Sequence, residues 1–121
     1  MILEIKPQSK ERARARGRQF YTPDKTRKYE ENIAMLYRAN GGEYHKGKIK
    51  VYVVFSYATK DCQKMWTPKI SRPDVDNLIK ALFDGLNGVA WEDDAQVVEV
   101  KASKVWTAYD YIELEIQGER K

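Results

Sequence analysis

Four charged side chains that could support metal-dependent hydrolysis lie within a stretch of twenty-one residues: Asp74, Asp76, Lys80 and Asp94. Carboxylate oxygens are the hard ligands that Mg²⁺ prefers in proteins, and a bound metal ion can polarise a phosphodiester and lower the pKa of an attacking water. The rest of the chain is basic, and a positive field attracts nucleic-acid phosphates. The cluster therefore predicts hydrolysis of a nucleic-acid phosphodiester by bound Mg²⁺.

Each acid in this cluster also has an ordinary structural interpretation. Asp74 and Asp76 follow Pro73 at a predicted helix start, where carboxylates commonly cap free N–H groups. Asp94 ends an acidic tight turn, a common composition between a helix and a strand. An ion pair would explain Asp76 and Lys80 but not the other two acids. We expect Asp94 to fold back beside Asp74, because a helix, a short turn and a strand packed beneath it would return the chain to that end.

A strongly basic segment precedes the first helix. Residues 10–28 carry a net charge of +6, against +4 for the whole chain. The arginines in this segment alternate with small residues and form no apolar stripe, which predicts a mobile arm over about residues 8–20 that binds phosphates. A solubilising loop is the alternative. The predicted DNA-binding side chains are Arg12, Arg14, Arg16, Arg18, Lys25, Arg27, Lys28 and Arg72.

Two helices are predicted from caps and apolar periodicity. The first has Thr22 as N-cap and Pro23 at its first position, and it ends at the glycines after Asn40. Its predicted apolar face consists of Tyr29, Ile33, Leu36 and Tyr37. The second begins at Asp74 or Asp76, and its predicted buried stripe consists of Val75, Ile79, Leu82, Phe83 and Leu86. Asp76, Lys80 and Asp84 share the opposite, polar face.

Strands are predicted where apolar residues alternate with polar ones. A first strand is predicted over residues 1–6 and a central strand over residues 49–57. Two more strands follow the second helix, at residues 96–106 and 109–117. The pattern indicates an α+β fold.

Length and composition indicate one domain over residues 1–121, without a membrane span. The chain is 42% hydrophobic and 33% charged, and it has no apolar run near the length that a membrane helix needs. Residues 1–5 are followed by charged residues rather than by the apolar core of a signal peptide, so we expect a cytoplasmic protein. Cys62 is a single cysteine, which is expected to be a reduced thiol.

Residues 72–88 and 91–98 resemble the signature of the RusA family of Holliday junction resolvases in the order and spacing of acids, lysine, glycines and the final Asp-Asp-x-Gln-Val-Val. Thr22 and Pro23, with the basic arm before them, resemble phage-type members. The resemblance implies that Asp74, Asp76 and Asp94 are catalytic metal ligands and that Lys80 is the catalytic lysine. Asn77 and Asp93 lie in the motif as possible supporting residues. The implied fold is a compact domain with two main helices and a mixed sheet of four to five strands.

The resemblance also implies an activity. Members of this family are homodimers that need Mg²⁺, for which Mn²⁺ could substitute, and they resolve four-way DNA junctions by paired symmetric nicks during recombination and repair. We therefore expect DNA and a second copy of the chain as partners, no small-molecule cofactor, and a bacterial or phage-infected cell as the setting. Two nicks require two active sites in a fixed relation.

Two other functions remain open from the sequence. The chain could be a non-catalytic basic protein that binds DNA junctions, with acids that serve only as caps and ion pairs. It could instead be a nuclease for other branched DNA. Phe20, Trp66 and Trp91 could stack on unpaired bases, although such aromatic residues are more often core or interface residues.

Overall fold

In the computed structural model, residues 1–9, 14–16, 19–21 and 24–120 are described, with the backbone alone for 14–16, 19–21 and 120. These residues form two helices and six strands. The helices are α1 (Asp24–Ala39) and α2 (Val75–Leu86). The strands are β1 (Ile2–Leu3), β2 (Arg14–Arg16), β3 (Gln19–Tyr21), β4 (His45–Ala58), β5 (Val97–Thr107) and β6 (Tyr111–Arg120).

Four strands form one mixed sheet in the order β1-β6-β4-β5. β4 pairs in parallel with β5 and antiparallel with β6, and β1 pairs antiparallel with β6. β4 is central, as predicted, and its alternation is visible in its burial: Ile49, Val51, Val53 and Phe55 are buried, whereas Lys50 between them is exposed. One face of the sheet therefore carries the core.

Both helices contribute to that core. Tyr29, Ile33 and Tyr37 of α1 are buried, and Leu36 is partly buried against them. The predicted cap, Thr22 and Pro23, lies outside the described residues. Helix α1 packs closely on α2, because a Cβ added at Gly85 would lie 2.8 Å from Cβ of Ile33.

The buried stripe of α2 differs from the prediction at its first turn. Leu82, Phe83 and Leu86 are buried as expected, and Leu78 and Ala81 join them. Val75 was predicted to be buried, but it is 36% exposed. Val75 points to the same side as Leu82, but it is the first helical residue, and the core does not extend that far along the helix.

The connection from β4 through α2 to β5 decides where the ends of α2 lie. Because β4 and β5 are parallel, the helix between them runs back along the sheet. Near its start, Nζ of Lys104, late in β5, contacts Pro73 O at 2.7 Å. Past its end, Nε2 of Gln96 donates to Gly47 O, early in β4, at 3.0 Å. The two ends of α2 therefore lie at opposite ends of the sheet.

The α+β prediction is confirmed: two helices and the four-stranded mixed sheet share one core. Within the predicted arm, the backbone of β2 pairs antiparallel with that of β3. Residues 10–13 and 17–18 lie outside the described part of the chain, so the mobility of the arm stays a prediction. No helix among the described residues is long and apolar enough to cross a membrane.

Candidate active site

Asp74 occupies the N-cap position of α2. Its backbone is extended (φ −70°, ψ 142°), and its main-chain oxygen accepts the first helical hydrogen bond from the N–H of Leu78 at 3.2 Å. Its carboxylate makes no capping hydrogen bond, and the residue is exposed. The side chain is therefore available to a ligand rather than occupied in capping the helix.

Two lysines hold the segment that leads into Asp74. Nζ of Lys104 donates to Ser71 O at 2.8 Å and to Pro73 O at 2.7 Å. Nζ of Lys69 donates to Ser71 Oγ at 2.7 Å and to Arg72 O. Neither lysine forms an ion pair with an acid of the described chain. Because a charged donor makes a stronger hydrogen bond than a neutral one, these contacts fix the carbonyl groups immediately before Asp74.

A polar stripe runs along the exposed side of α2. Asp76, Lys80, Asp84 and Asn87 follow one another at helical spacing, so they lie on one side of the helix. Asp76 and Lys80 are exposed, and no ion pair between them is present in the structure. The ion-pair interpretation of these two residues thus has no support in the geometry.

Asp94 opens a short 3₁₀ turn, Asp94–Gln96, just before β5. Its carboxyl group lies close to the side chains of Asp93 and Asn87. Burial raises the pKa of Asp94, and the hydrogen bond and charge of Asp93 and the charge of Asp84 raise it further, while the hydrogen bond from Asn87 opposes them. Negative charge is therefore concentrated at this end of α2.

Asp93 has a structural role in the same turn. It forms a capping box with Gln96, whose Oε1 accepts the N–H of Asp93 at 3.1 Å and that of Glu92 at 3.0 Å. These bonds fix the entry into β5. Asn77, the other possible supporting residue, is half-buried on α2.

Within one chain, the predicted metal ligands lie at the two opposite ends of α2. Asp74 and Asp76 lie at the start of α2, and Asp94 lies past its end. The twelve residues of the helix span about 18 Å. Among the described residues, no group of three or more His, Cys, Asp or Glu side chains could hold a metal ion. The donors at each end are nevertheless carboxylate oxygens, the type that suits Mg²⁺ or Mn²⁺.

The predicted DNA-binding side chains are only partly described. Arg12 and Arg18 lie outside the described residues, and Arg14 and Arg16 are described by their backbone alone. Lys25, Arg27 and Lys28 are exposed on the first turns of α1, where Arg27 approaches Asp24 at 3.8 Å. Arg72 is exposed two residues before Asp74.

Two of the three singled-out aromatic residues have described side chains. Trp91 belongs to the core: it is fully buried, packs edge-on to Phe83 at 5.3 Å, and donates Nε1–H to Asn87 Oδ1 at 2.6 Å. Trp66 is 71% exposed at a positive φ of 66°. The side chain of Phe20 lies outside the described part.

Lys69 and Lys104 were not predicted from the sequence. The role of Lys104 depends on a contact between β5 and a loop more than thirty residues earlier, from Lys104 Nζ to Ser71 O, and Lys69 packs on the ring of Trp106 in the same strand. A local pattern carries no signal for such a contact. The proline at position 73 showed only that a helix starts nearby.

Comparison with known proteins gives three matches. The sequence model of a family described as "Endodeoxyribonuclease RusA" matches residues 3–117. A protein of Lactococcus phage r1t named "Crossover junction endodeoxyribonuclease rusA" is 42% identical over 69 residues, which are 56% of this chain and 53% of that protein. The uncharacterized protein YqaN of Bacillus subtilis (strain 168) is 40% identical over 47 residues, 39% of this chain and 33% of that protein. The chain thus spans about half or less of the length of these relatives.

Proposed function

This chain belongs to the RusA endodeoxyribonuclease family, and we propose that it is a nuclease that cuts four-way DNA junctions with the help of a divalent metal ion. The name of the phage relative supports this substrate. The observation that carries the proposal is the start of α2, where the carboxylates of Asp74 and Asp76 are exposed and make no capping bond and no ion pair with a described residue.

The side chains of the site have distinct tasks. Asp74, Asp76 and Asp94 would hold Mg²⁺, which when bound polarises the scissile phosphate and lowers the pKa of a water. Lys80, one turn after Asp76, places an ammonium where negative charge develops on the phosphate oxygens. The arm and the lysines of α1 attract the DNA backbone without reading its sequence.

The active unit in this proposal is a homodimer. Because α2 is about 18 Å long and Asp94 lies near Asn87 just past its end, one chain alone cannot bring the carboxylates of Asp74 and Asp94 to one ion. Two antiparallel copies can place the start of one α2 beside the end of the other. A two-fold dimer also provides the two equivalent sites that paired nicks require.

A strand edge is available for such a dimer. β5 is an edge strand, and in its first half Val98 is 63% exposed and Val100 37% exposed. Its second half is covered, since Pro68 bridges to Val105. An unpaired edge with exposed valines favours pairing with another chain.

The activity is tested with a labelled mobile four-way junction, in Mg²⁺ or in EDTA, with products separated on a denaturing gel. We expect paired symmetric nicks by the wild-type protein in Mg²⁺ only. The variants Asp74→Asn, Asp76→Asn and Asp94→Asn each lose a ligand charge, so they should bind the junction but not cut it. Tight binding without nicks in any metal would instead indicate a non-catalytic junction-binding protein. A preference for other branched DNA in competition would correct the substrate.

Mixed dimers test the shared site. Two differently tagged chains, one with Asp76→Asn and one with Asp94→Asn, are co-expressed and the heterodimer is isolated. If each site combines both chains, the heterodimer keeps one intact site and makes one nick per junction. If each site lies within one chain, both sites carry a substitution and the heterodimer is inactive, which would refute the shared arrangement. Each variant homodimer is the matched control.

A further inference from the structure

A cavity of about 560 Å³ lies on the side of the loop before α2 that faces the first residues of the chain. Its wall is built from five parts of the chain: the segment after β1, the first turn of α1, the end of β4, the loop before α2 and the end of β5 with the turn after it. Its charged and aromatic lining includes Lys6, Lys69, Arg72, Tyr57, Trp106 and Asp110. None of the roles assigned to the active-site acids involves this cavity.

The cavity is strongly positive. Among the described residues, the cations Lys6, Lys69 and Arg72 line it, against the carboxylate of Asp110. Oδ1 of Asp110 already accepts the N–H of Ala58 at 2.8 Å, a bond that holds the end of β4. The wall therefore has an excess of positive charge that its own carboxylate does not neutralise.

Lys69 shows how strong this excess is. It is only 8% exposed, and its ammonium lies 5.0 Å from the ring centre of Tyr57 and 4.8 Å from that of Trp106. Its donors are used by Ser71 and by Arg72 O, so it contributes positive charge to the cavity wall rather than a free hydrogen-bond donor. Burial lowers its pKa, and the neighbouring charges of Lys104, Lys6 and Lys64 lower it further. An anion in the cavity would offset this repulsion.

Two cations at the rim have donors to offer. Lys6 and Arg72 are exposed, and neither forms an ion pair with a described acid. A guanidinium can bind two phosphate oxygens at once, and an ammonium can bind as a point charge. One anion could therefore contact Lys6 and Arg72 at the rim, next to the buried ammonium of Lys69.

We propose that this cavity binds a backbone phosphate of the DNA strand that is being cut. This inference rests on the proposed function. Arg72 and Asp74 are two positions apart in the chain, so their Cα atoms lie within about 7 Å of each other. The bound phosphate would therefore lie within a few nucleotides of the scissile one. The contact would fix the register of the strand at Asp74.

Binding in EDTA tests the cavity without any cleavage. The variants are Lys6→Gln and Arg72→Gln, and Lys101→Gln is the matched control, since Lys101 is exposed on β5 and stacks over Tyr52 at 5.6 Å instead of lining the cavity. Junction affinity is measured against salt. We expect the slope of log affinity against log salt to fall by about 1 for each rim variant and to change less for the control. Thermal unfolding of each variant shows whether the fold is kept.

Neutral phosphates then locate the contact. Junctions are made with one methylphosphonate at each position that flanks the cut, and their affinities are compared for the wild type and Arg72→Gln. At the bound position, the neutral phosphate and the variant remove the same contact, so their losses should not add. Additive losses at every position, or equal slope changes for Lys101→Gln, would overturn the proposal.

This test separates two kinds of failure. Non-additive losses in EDTA without cleavage in Mg²⁺ would support the phosphate site and refute the nuclease. Cleavage in Mg²⁺ with additive losses everywhere would support the nuclease and refute the phosphate site.

Discussion

Replacing Lys104 by Met should slow cleavage more than it lowers the affinity for the DNA junction. The substitution keeps a long apolar stem but removes the ammonium that donates to Ser71 O at 2.8 Å and to Pro73 O at 2.7 Å. Those carbonyls belong to the segment that positions Asp74 at the start of α2. Without these two hydrogen bonds, the position of the Asp74 carboxylate is no longer fixed by the segment before it.

The expected loss of stability follows from the two bonds. A hydrogen bond to a charged group contributes about 1.5–3 kcal/mol. The bond to Pro73 O is partly buried and should approach the lower value, whereas Ser71 O is exposed and is also approached by Lys69 Nζ at 3.3 Å. Removing one ammonium also relieves the repulsion between the two lysines. We expect a net loss of about 1–2 kcal/mol, or a fall in Tm of roughly 4–8 °C for a chain of this size.

The catalytic effect should be larger than the effect on stability. A displacement of about 1 Å at a reacting group can lower the rate about 100-fold. We therefore expect single-turnover cleavage at saturating protein to fall by about 10- to 100-fold, with hydrogen exchange increased at residues 71–76.

The control for this prediction is Lys101→Met. Lys101 lies on the same strand and carries the same charge, but its Nζ lies over the ring of Tyr52 at 5.6 Å, away from the loop. Both variants lose one positive charge, so their junction affinities in EDTA should be similar. If Lys104→Met cuts as fast as Lys101→Met, the lysine contacts do not position Asp74 and the reasoning is wrong.

Three further predictions concern the acid at the far end of α2, the arm and the helix contact. The pKa of Asp94 is raised in the folded protein, so its ionisation destabilises the fold as pH rises above the ordinary carboxyl range. Asp94→Asn should therefore raise Tm at pH 7. This gain should disappear in acid, where the carboxyl group is protonated in both the folded and the unfolded state. A lower Tm of the variant at pH 7 would contradict this. Reversing the arm charges with Arg12→Glu, Arg14→Glu, Arg16→Glu and Arg18→Glu together should weaken junction binding and flatten its salt dependence, whereas an unchanged slope would exclude the arm from the DNA surface. Gly85→Ala would place a Cβ 2.8 Å from Cβ of Ile33. The overpacking should lower the free energy of unfolding by about 1–3 kcal/mol, which exceeds the gain of about 1 kcal/mol from the higher helix propensity of alanine. We therefore expect the urea midpoint to fall.

Periodicity in the sequence was sufficient to predict the main elements. The alternation around Val51 predicted a central strand, and β4 (His45–Ala58) is central. The apolar stripe and the polar side of α2 were also predictable, because helical spacing alone decides which side chains share a face. The acids, the lysine and their spacing were sufficient for the family, which the match over residues 3–117 shows.

Three features depended on the tertiary structure. The parallel pairing of β4 with β5 puts Asp94 past the end of α2, whereas the sequence predicted that it would return beside Asp74. Val75 has the spacing of a core residue, but it lies beyond the core in the first turn. Lys69 and Lys104 reach Ser71 from two different segments. The cavity lined by Arg72 is built from five parts of the chain.

The physical reason is the range of the interactions. Burial and turn preferences act between residues a few positions apart, so they leave a pattern in the sequence. Strand order, and the meeting of Lys69 and Lys104 around Ser71, depend on contacts between distant segments that only the packed sheet brings together. Local patterns were therefore sufficient to predict the elements, most of their buried faces and the family, whereas long-range packing sets which charged side chains lie next to one another.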